Sequence, residues 1–257
     1  MAQANNRLTV ELCCGGIEDV ALAAAAGVDR IELNCGMAVG GLTPSAGLVK
    51  AARRMFRGPV IGMVRPREGG FCYSQSEFLQ MLDDSESMIA EMLDGLAVGF
   101  LMADGHIDTT RCRQLRELFP KATLVFHKAF DVTPDLEAAI KQLIDCGFNR
   151  VLTSGGMSTA TQGKSRLQAL RDLASDNIEI LPGGGIRASN VRAILEQSGC
   201  NQIHSAVRDT TYDTSTQHNE AFNFGLPGDS SGSYGRASAN MLNDLLATVA
   251  DLRDSLS

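Results

Sequence analysis

Two acids, two arginines and two histidines stand just where short apolar runs give way to polar residues: Glu11, Glu32, Arg65, Arg67, His127 and His204. Directed at one mouth, they would supply acid/base groups, anion clamps and metal ligands together. In an enzyme reading, Glu11 is a general base whose pKa is raised by partial burial, and His127 donates or relays a proton. Arg65 holds a carboxylate or stabilises an oxyanion. Asp131, four residues after His127, either orients that imidazole or caps the following helix. In "DVTPDLE" the placement of Pro134 in a first helical turn favours Thr133 as the cap. The structural alternative is an ion pair of Glu11 or Glu32 with Arg65.

The elements that must position these groups repeat along the chain. Eight short β-branched runs can be counted: "LTVELC", "RIELN", "PVIGMVR", "GLAVGFLM", "TLVFHK", "RVLTS", "IEILPGG" and "QIHSA". Between them lie segments such as "PDLEAAIKQLIDCG" and "ASNVRAILEQSG", with apolar residues every three or four positions. Strand alternating with helix predicts parallel strands joined by right-handed crossovers, and eight units in roughly 250 residues predict a single (β/α)8 TIM barrel of α/β class over residues 1–257. A doubly wound open sheet is the alternative, but the first strand leads into "CCGGIED" rather than a GxGxxG turn. In a barrel the loops after each strand build the site, so the polar strand ends converge. The segment 208–236, with "GLPGDSSGSYG", reads as a long loop after strand eight and a mobile flap over the barrel mouth, with Tyr234 a contact.

Two glycine-rich loops follow neighbouring strands, "TSGGMSTATQG" and "PGGGIRASN". Backbone amides there suit a phosphate or carboxylate, with Ser154, Gly155, Gly184 and Gly185 as the anion-binding candidates. The plainer account is tight strand-to-helix turns, with Ser189 or Asn190 as an ordinary cap. Composition narrows the partners. The net charge is −7 and Lys and Arg form no runs, which argues against nucleic acid, membrane surface or a nuclease. The chain shows neither a basic start with an apolar run nor an apolar stretch of membrane-spanning length. Seven cysteines without a CxxC spacing read as reduced thiols. A cytoplasmic protein is expected.

"VELCC", "DRIEL", "GGLTPS", "VRPREGGFCYS", "FHKAFD", "RVLTSGG" and the G-G-G-I-R turn with "IHSA" occur in order between about Leu8 and Val207. Together they resemble the CutC family, the copper homeostasis proteins. The resemblance implies a TIM barrel, a cytoplasmic homodimer, copper binding and a role in copper homeostasis. The alternative is a barrel enzyme using acid/base chemistry on a small phosphorylated or carboxylated metabolite. Copper needs several Cys, Met or His side chains to converge. Strand alternation places Glu11 and Cys13 on one face of "VELCC" and Cys14 on the other, so the two thiols point apart. Cys13, His127 and Cys72 are the metal-ligand candidates, with Met63, Met102 and His204 as further partners for Cys13. Otherwise Cys13 is a small buried apolar residue, or a nucleophile activated by His127.

Overall fold

The computed structural model describes residues 8–255 apart from 220, 227 and 229. Strands β1 (Thr9–Cys14), β2 (Arg30–Leu33), β3 (Val60–Met63), β4 (Gly95–Val98), β5 (Thr123–Phe126), β6 (Arg150–Thr153), β7 (Glu179–Pro182) and β8 (Gln202–Ser205) form one sheet. Each pairs in parallel with its sequence neighbour from β1 to β7, β8 pairs with β1, and a bridge between Gly183 and His204 brings the free edges together. Helices α1 (Ile17–Ala26), α2 (Ala46–Met55), α3 (Gln75–Ala90), α4 (Thr109–Leu118), α5 (Leu136–Asp145), α6 (Ala160–Ala174) and α7 (Ala188–Ser198) alternate with the strands, and α8 (Ala239–Ser255) follows later. This is the expected (β/α)8 barrel. The strands are shorter than the apolar runs suggest, because the ends of runs such as "PVIGMVR" already belong to the loops that carry the site.

Local signals at the helix starts explain their positions. Ser74 and Glu77 form a reciprocal capping box at α3. The cap of α5 is Asp135, whose carboxylate accepts from the Glu137 and Ala138 amides. Thr133, expected there, instead donates its hydroxyl to the Phe130 carbonyl, because Pro134 lies before the helix. At α7 the chain turns at Arg187, and Asn190 reaches back to accept from the Arg187 amide at 2.8 Å.

The period of two in β1 separates two interiors. Val10, Leu12 and Cys14 join Ile31, Leu33 and Phe126 in the apolar layer between strands and helices. Glu11 and Cys13 point the other way, into the barrel. There the interior is divided: Ile61, Met63, Ala97, Val125, Leu152 and Leu181 make a small apolar plug. Facing it, Glu11, Arg30, Gln202 and His204 form a buried polar wall from β8, β1 and β2. Arg30 donates to Glu11 and, at 2.8 Å, to the Gln202 carbonyl oxygen.

After β8 the chain folds into an antiparallel hairpin, β9 (Arg208–Tyr212) with β10 (Ser233–Ala237), before α8. Asp19 of α1 ties it down, accepting from Arg208 at 3.2 Å and from the Ala237 amide at 2.9 Å. The stems of the long segment are therefore anchored to the first barrel helix.

The Glu11–Arg30 pair predicts an unequal response to charge removal. Arg30→Ala strands a buried carboxylate and should lower stability by about 3–5 kcal/mol in urea unfolding. Lys50→Ala, which breaks an exposed pair with Glu91, should change it by less than about 1 kcal/mol. Equal effects would mean that the barrel wall does not depend on its charge pairing.

Candidate functional site

A cavity of about 750 Å³ opens at the C-terminal ends of the strands, lined at one end by Cys13, Glu32, Met37 and His204 and, adjoining His204 across its bridge to Gly183, by Lys128, Gly184, Gly185 and Arg187. The first end is built from the polar wall. Parallel pairing sets Cys13 beside Glu32 and Glu11 beside His204. Cys13 Sγ lies 3.7 Å from Glu32 Oε2 and 3.9 Å from Met37 Sδ. His204 Nε2 lies 3.9 Å from the same Glu32 oxygen. The ligand atoms of Cys13, Glu32 and His204 all fall within 4.8 Å of one another. Asn34 fixes the arrangement by donating to Glu32 Oε2 at 2.9 Å and to Cys13 Sγ at 3.5 Å.

The charges here are set by burial and by one another. Burial alone would raise the Glu11 carboxyl, but Arg30 and His204 outweigh it and hold the group well below the usual carboxylate range. Glu11 is thus a permanent anion, the reverse of the raised general base expected from the sequence. It bonds His204 Nδ1 at 2.7 Å. Burial would lower the His204 imidazole, and the flanking Glu32 and Glu11 overcome it and push it up. Glu32 is raised, first by burial and then by the charge of Glu11. Burial and Glu32 raise the Cys13 thiol well above its ordinary value.

Arg65 and His127 form the middle of the cavity. Arg65, 5% exposed, donates to the carbonyls of Val39, Gly41 and Gly69 at 2.8–2.9 Å, so most of its guanidinium braces loops; only Nε, buried, lacks a partner among the described residues. The expected carboxylate clamp is reduced to one free donor. His127 is 3% exposed and begins a 3-10 turn, Lys128–Val132, with Nδ1 accepting from the Ala129 amide at 3.1 Å. That bond puts the ring proton on Nε2, which also has no partner. Gly99 permits the pose, since a Cβ there would stand 2.3 Å from the His127 ring. Asp131 does not touch His127. Its carboxylate accepts from Ser154 and Gly156 amides, the hydroxyls of Thr153 and Ser154, and Lys128 at 2.8 Å. The Gly155 amide is satisfied by Thr153 Oγ1 at 2.9 Å. Asp131 therefore takes the place the sequence offered to an external anion at Ser154 and Gly155. Gly184 and Gly185 keep free amides among the described residues.

Of the three metal-ligand candidates, the structure brings Cys13 into a donor cluster and leaves the others outside it. His127 lines the same cavity, but its Nε2 carries the proton, and no hydrogen bond joins it to Cys13 among the described residues. Cys72 is exposed on the loop after β3 and does not line the cavity. Met102 is 46% exposed and also lies apart, whereas Met63 lines the cavity floor. Tyr234 lines a neighbouring pocket of about 500 Å³ with Gly15 and Met37, not this mouth. Met37 and Glu32 are the donors the metal reading missed. Glu32 was visible, at the same strand alternation as Glu11, whereas Met37 sits on a 3-10 turn, Met37–Val39, whose direction no periodicity gives.

Comparison with known proteins places the chain in a family and agrees with the barrel fold. A family model described as the CutC family matches residues 8–209. The family protein CutC of Treponema denticola is 43% identical over 218 residues, 85% of this chain and 89% of its own. The human copper homeostasis protein cutC homolog is 39% identical over 209 residues, 81% and 77% of the two chains. A crystal structure of CutC from Streptococcus agalactiae superposes with a TM-score of 0.73 at 35% identity, covering 77% of this chain and 97% of that one. Phosphoribosylanthranilate isomerase from Thermotoga maritima, with a TM-score of 0.57 at 13% identity, shares the fold alone.

Burial, helped by the Arg65 charge, pushes the His127 imidazole down to about 3. An unfolded imidazole titrates near 6.5. Between those values the unfolded chain holds a proton that the folded chain does not, so stability falls as pH drops through this window and is level above it. Between about pH 7 and about pH 5, wild type should lose roughly 2 kcal/mol more than His127→Gln in urea unfolding. Identical losses would show that His127 is not held neutral.

Proposed function

We propose a function on the premise that this chain belongs to the CutC family: it takes part in copper homeostasis by binding one copper ion at Cys13, Met37 and His204, with Glu32 beside them. The observation that carries this reading is the spacing of the donors. Ligands about 2.2 Å from one ion stand roughly 3.6 Å apart in a tetrahedral set and about 3.8 Å apart in a trigonal one. The Cys13 and Met37 sulfurs, 3.9 Å apart, lie close to both, and the Cys13 and His204 ligand atoms fall within 4.8 Å of each other around the same Glu32 oxygen. A thiol, a thioether and an imidazole form a soft set suited to Cu(I).

Glu11 completes the site from behind. By holding Nδ1 of His204 it turns Nε2 toward Glu32 and Cys13, the carboxylate–imidazole arrangement that orients a metal-binding histidine. A bound Cu(I) would displace one proton from His204 and one from Cys13, leaving the ion's single charge to offset the thiolate and lowering the net charge of the site by one. All seven cysteines are free. That supports a reducing, cytoplasmic setting, in which a thiol ligand survives.

Titration of the metal-free protein with Cu(I) against a competing chelator should saturate near one ion per chain. Cys13→Ser should abolish tight binding, and Met37→Leu should weaken it by about tenfold, or ~1.4 kcal/mol. Cys72→Ser and Cys14→Ser should match wild type. Equal affinities for wild type and Cys13→Ser would remove the cluster as the copper site.

A further inference from the structure

The donor cluster occupies one end of a cavity of about 750 Å³, and a single ion leaves most of that space unfilled. Cavities of this size hold small organic ligands. We propose that the adjoining β7–α7 side of the cavity is a binding site for a small organic phosphate monoester, with the phosphate on the turn between β7 and α7 and the body of the molecule reaching His127.

Four observations meet there. Gly184 and Gly185, at φ of 107° and 71°, present two amide donors without an acceptor among the described residues, just before the start of the eleven-residue α7. Arg187 lines the same side of the cavity, and its guanidinium has no carboxylate partner among the described residues, its one hydrogen bond going to the Ile186 carbonyl at 2.8 Å. Lys128 Nζ is held over this turn by Asp131 and Ser154, close enough that a Cβ on Gly184 would stand 3.4 Å from it. Two donors deeper in the same cavity are buried and unpaired, His127 Nε2 and Arg65 Nε.

The charge balance favours a dianion over a carboxylate. Asp131 offsets Lys128, but Arg187 is uncompensated, and the two free amides add the partial positive charge of a helix start. A phosphate accepts from several donors at once, which matches a guanidinium, an ammonium and two amides. The unpaired N–H of neutral His127 then requires an acceptor such as a hydroxyl or carbonyl oxygen on the organic part. A buried donor left unsatisfied is costly, so this group selects a ligand that has such an oxygen. The site shares the cavity with the donor cluster but none of its residues, and it does not rest on copper.

Calorimetric titration of the full, metal-free chain with inorganic phosphate, with ribose 5-phosphate and with ribose tests the proposal. Ribose 5-phosphate should bind saturably and more tightly than inorganic phosphate, while ribose gives no saturable heat. Arg187→Ala should weaken ribose 5-phosphate by at least about tenfold, yet take up copper as wild type does. His127→Phe, which removes the buried donor, should narrow the gap between ribose 5-phosphate and inorganic phosphate. Absence of saturable binding by wild type overturns the proposal whatever any variant does, as does undiminished binding by Arg187→Ala. Loss of copper uptake by wild type with phosphate binding intact would instead count against the copper site alone.

Discussion

The buried carboxylate of Glu11 is the constraint from which the site follows. An anion 1% exposed inside a barrel is tolerated only if partners surround it. Arg30 from the next strand and His204 from the preceding one in space supply that charge. Their positions are set by the parallel register that places Glu11 opposite both, so charge pairing and strand pairing specify the same alignment. A slip of one residue would turn Glu11 into the apolar layer and Leu12 into the charged wall.

That pairing also divides the barrel interior. Strands β3 to β7 fill most of their share of the lumen with aliphatic side chains, apart from Arg150 of β6, which pairs with Glu179 of β7, while β8, β1 and β2 fill theirs mainly with charges. The next inward step along β1 and β2 brings Cys13 and Glu32 to the mouth, directly above the charged layer. The donor cluster is the upper course of a wall whose lower course is already neutralised. His204 links the two, bonded below to Glu11 and facing Glu32 above.

What the sequence could reveal follows the same division. The period of two in "VELCC" identifies Glu11 and Cys13 as inward and Cys14 as outward, and the structure agrees because β1 is regular over that stretch. The eight strand–helix units are equally readable, since each buries a continuous apolar run. Loops are different. Asp131 is visible four residues after His127, but four of its five donors come from residues 153–156 at and after the end of the next strand, and no spacing shows that it will satisfy the Ser154 and Gly156 amides. Met37 reaches Cys13 only through a 3-10 turn flanked by Gly36 and Gly40, both with positive φ. The sign of the Glu11 shift is likewise not legible in the sequence, because burial and pairing oppose each other there and only the approach of Arg30 and His204 in the folded barrel decides between them.

The same electrostatics distinguishes a metal ligand from a nucleophile at Cys13. A nucleophilic cysteine needs a thiolate in the resting protein, stabilised by a nearby cation or a helix N-terminus. Cys13 has the opposite surroundings: it is buried, it faces Glu32, and its thiol is raised well above the ordinary value. His127 cannot serve as its base, being held neutral with Nδ1 committed to Ala129. Arg208, the charge that acts to lower the thiol, is itself spent on Asp19. Such surroundings disfavour the thiolate in the metal-free protein. A soft metal ion would bring the missing positive charge with it and form the thiolate only in the complex, so surroundings that disfavour Cys13 as a nucleophile are compatible with its proposed role as a metal ligand.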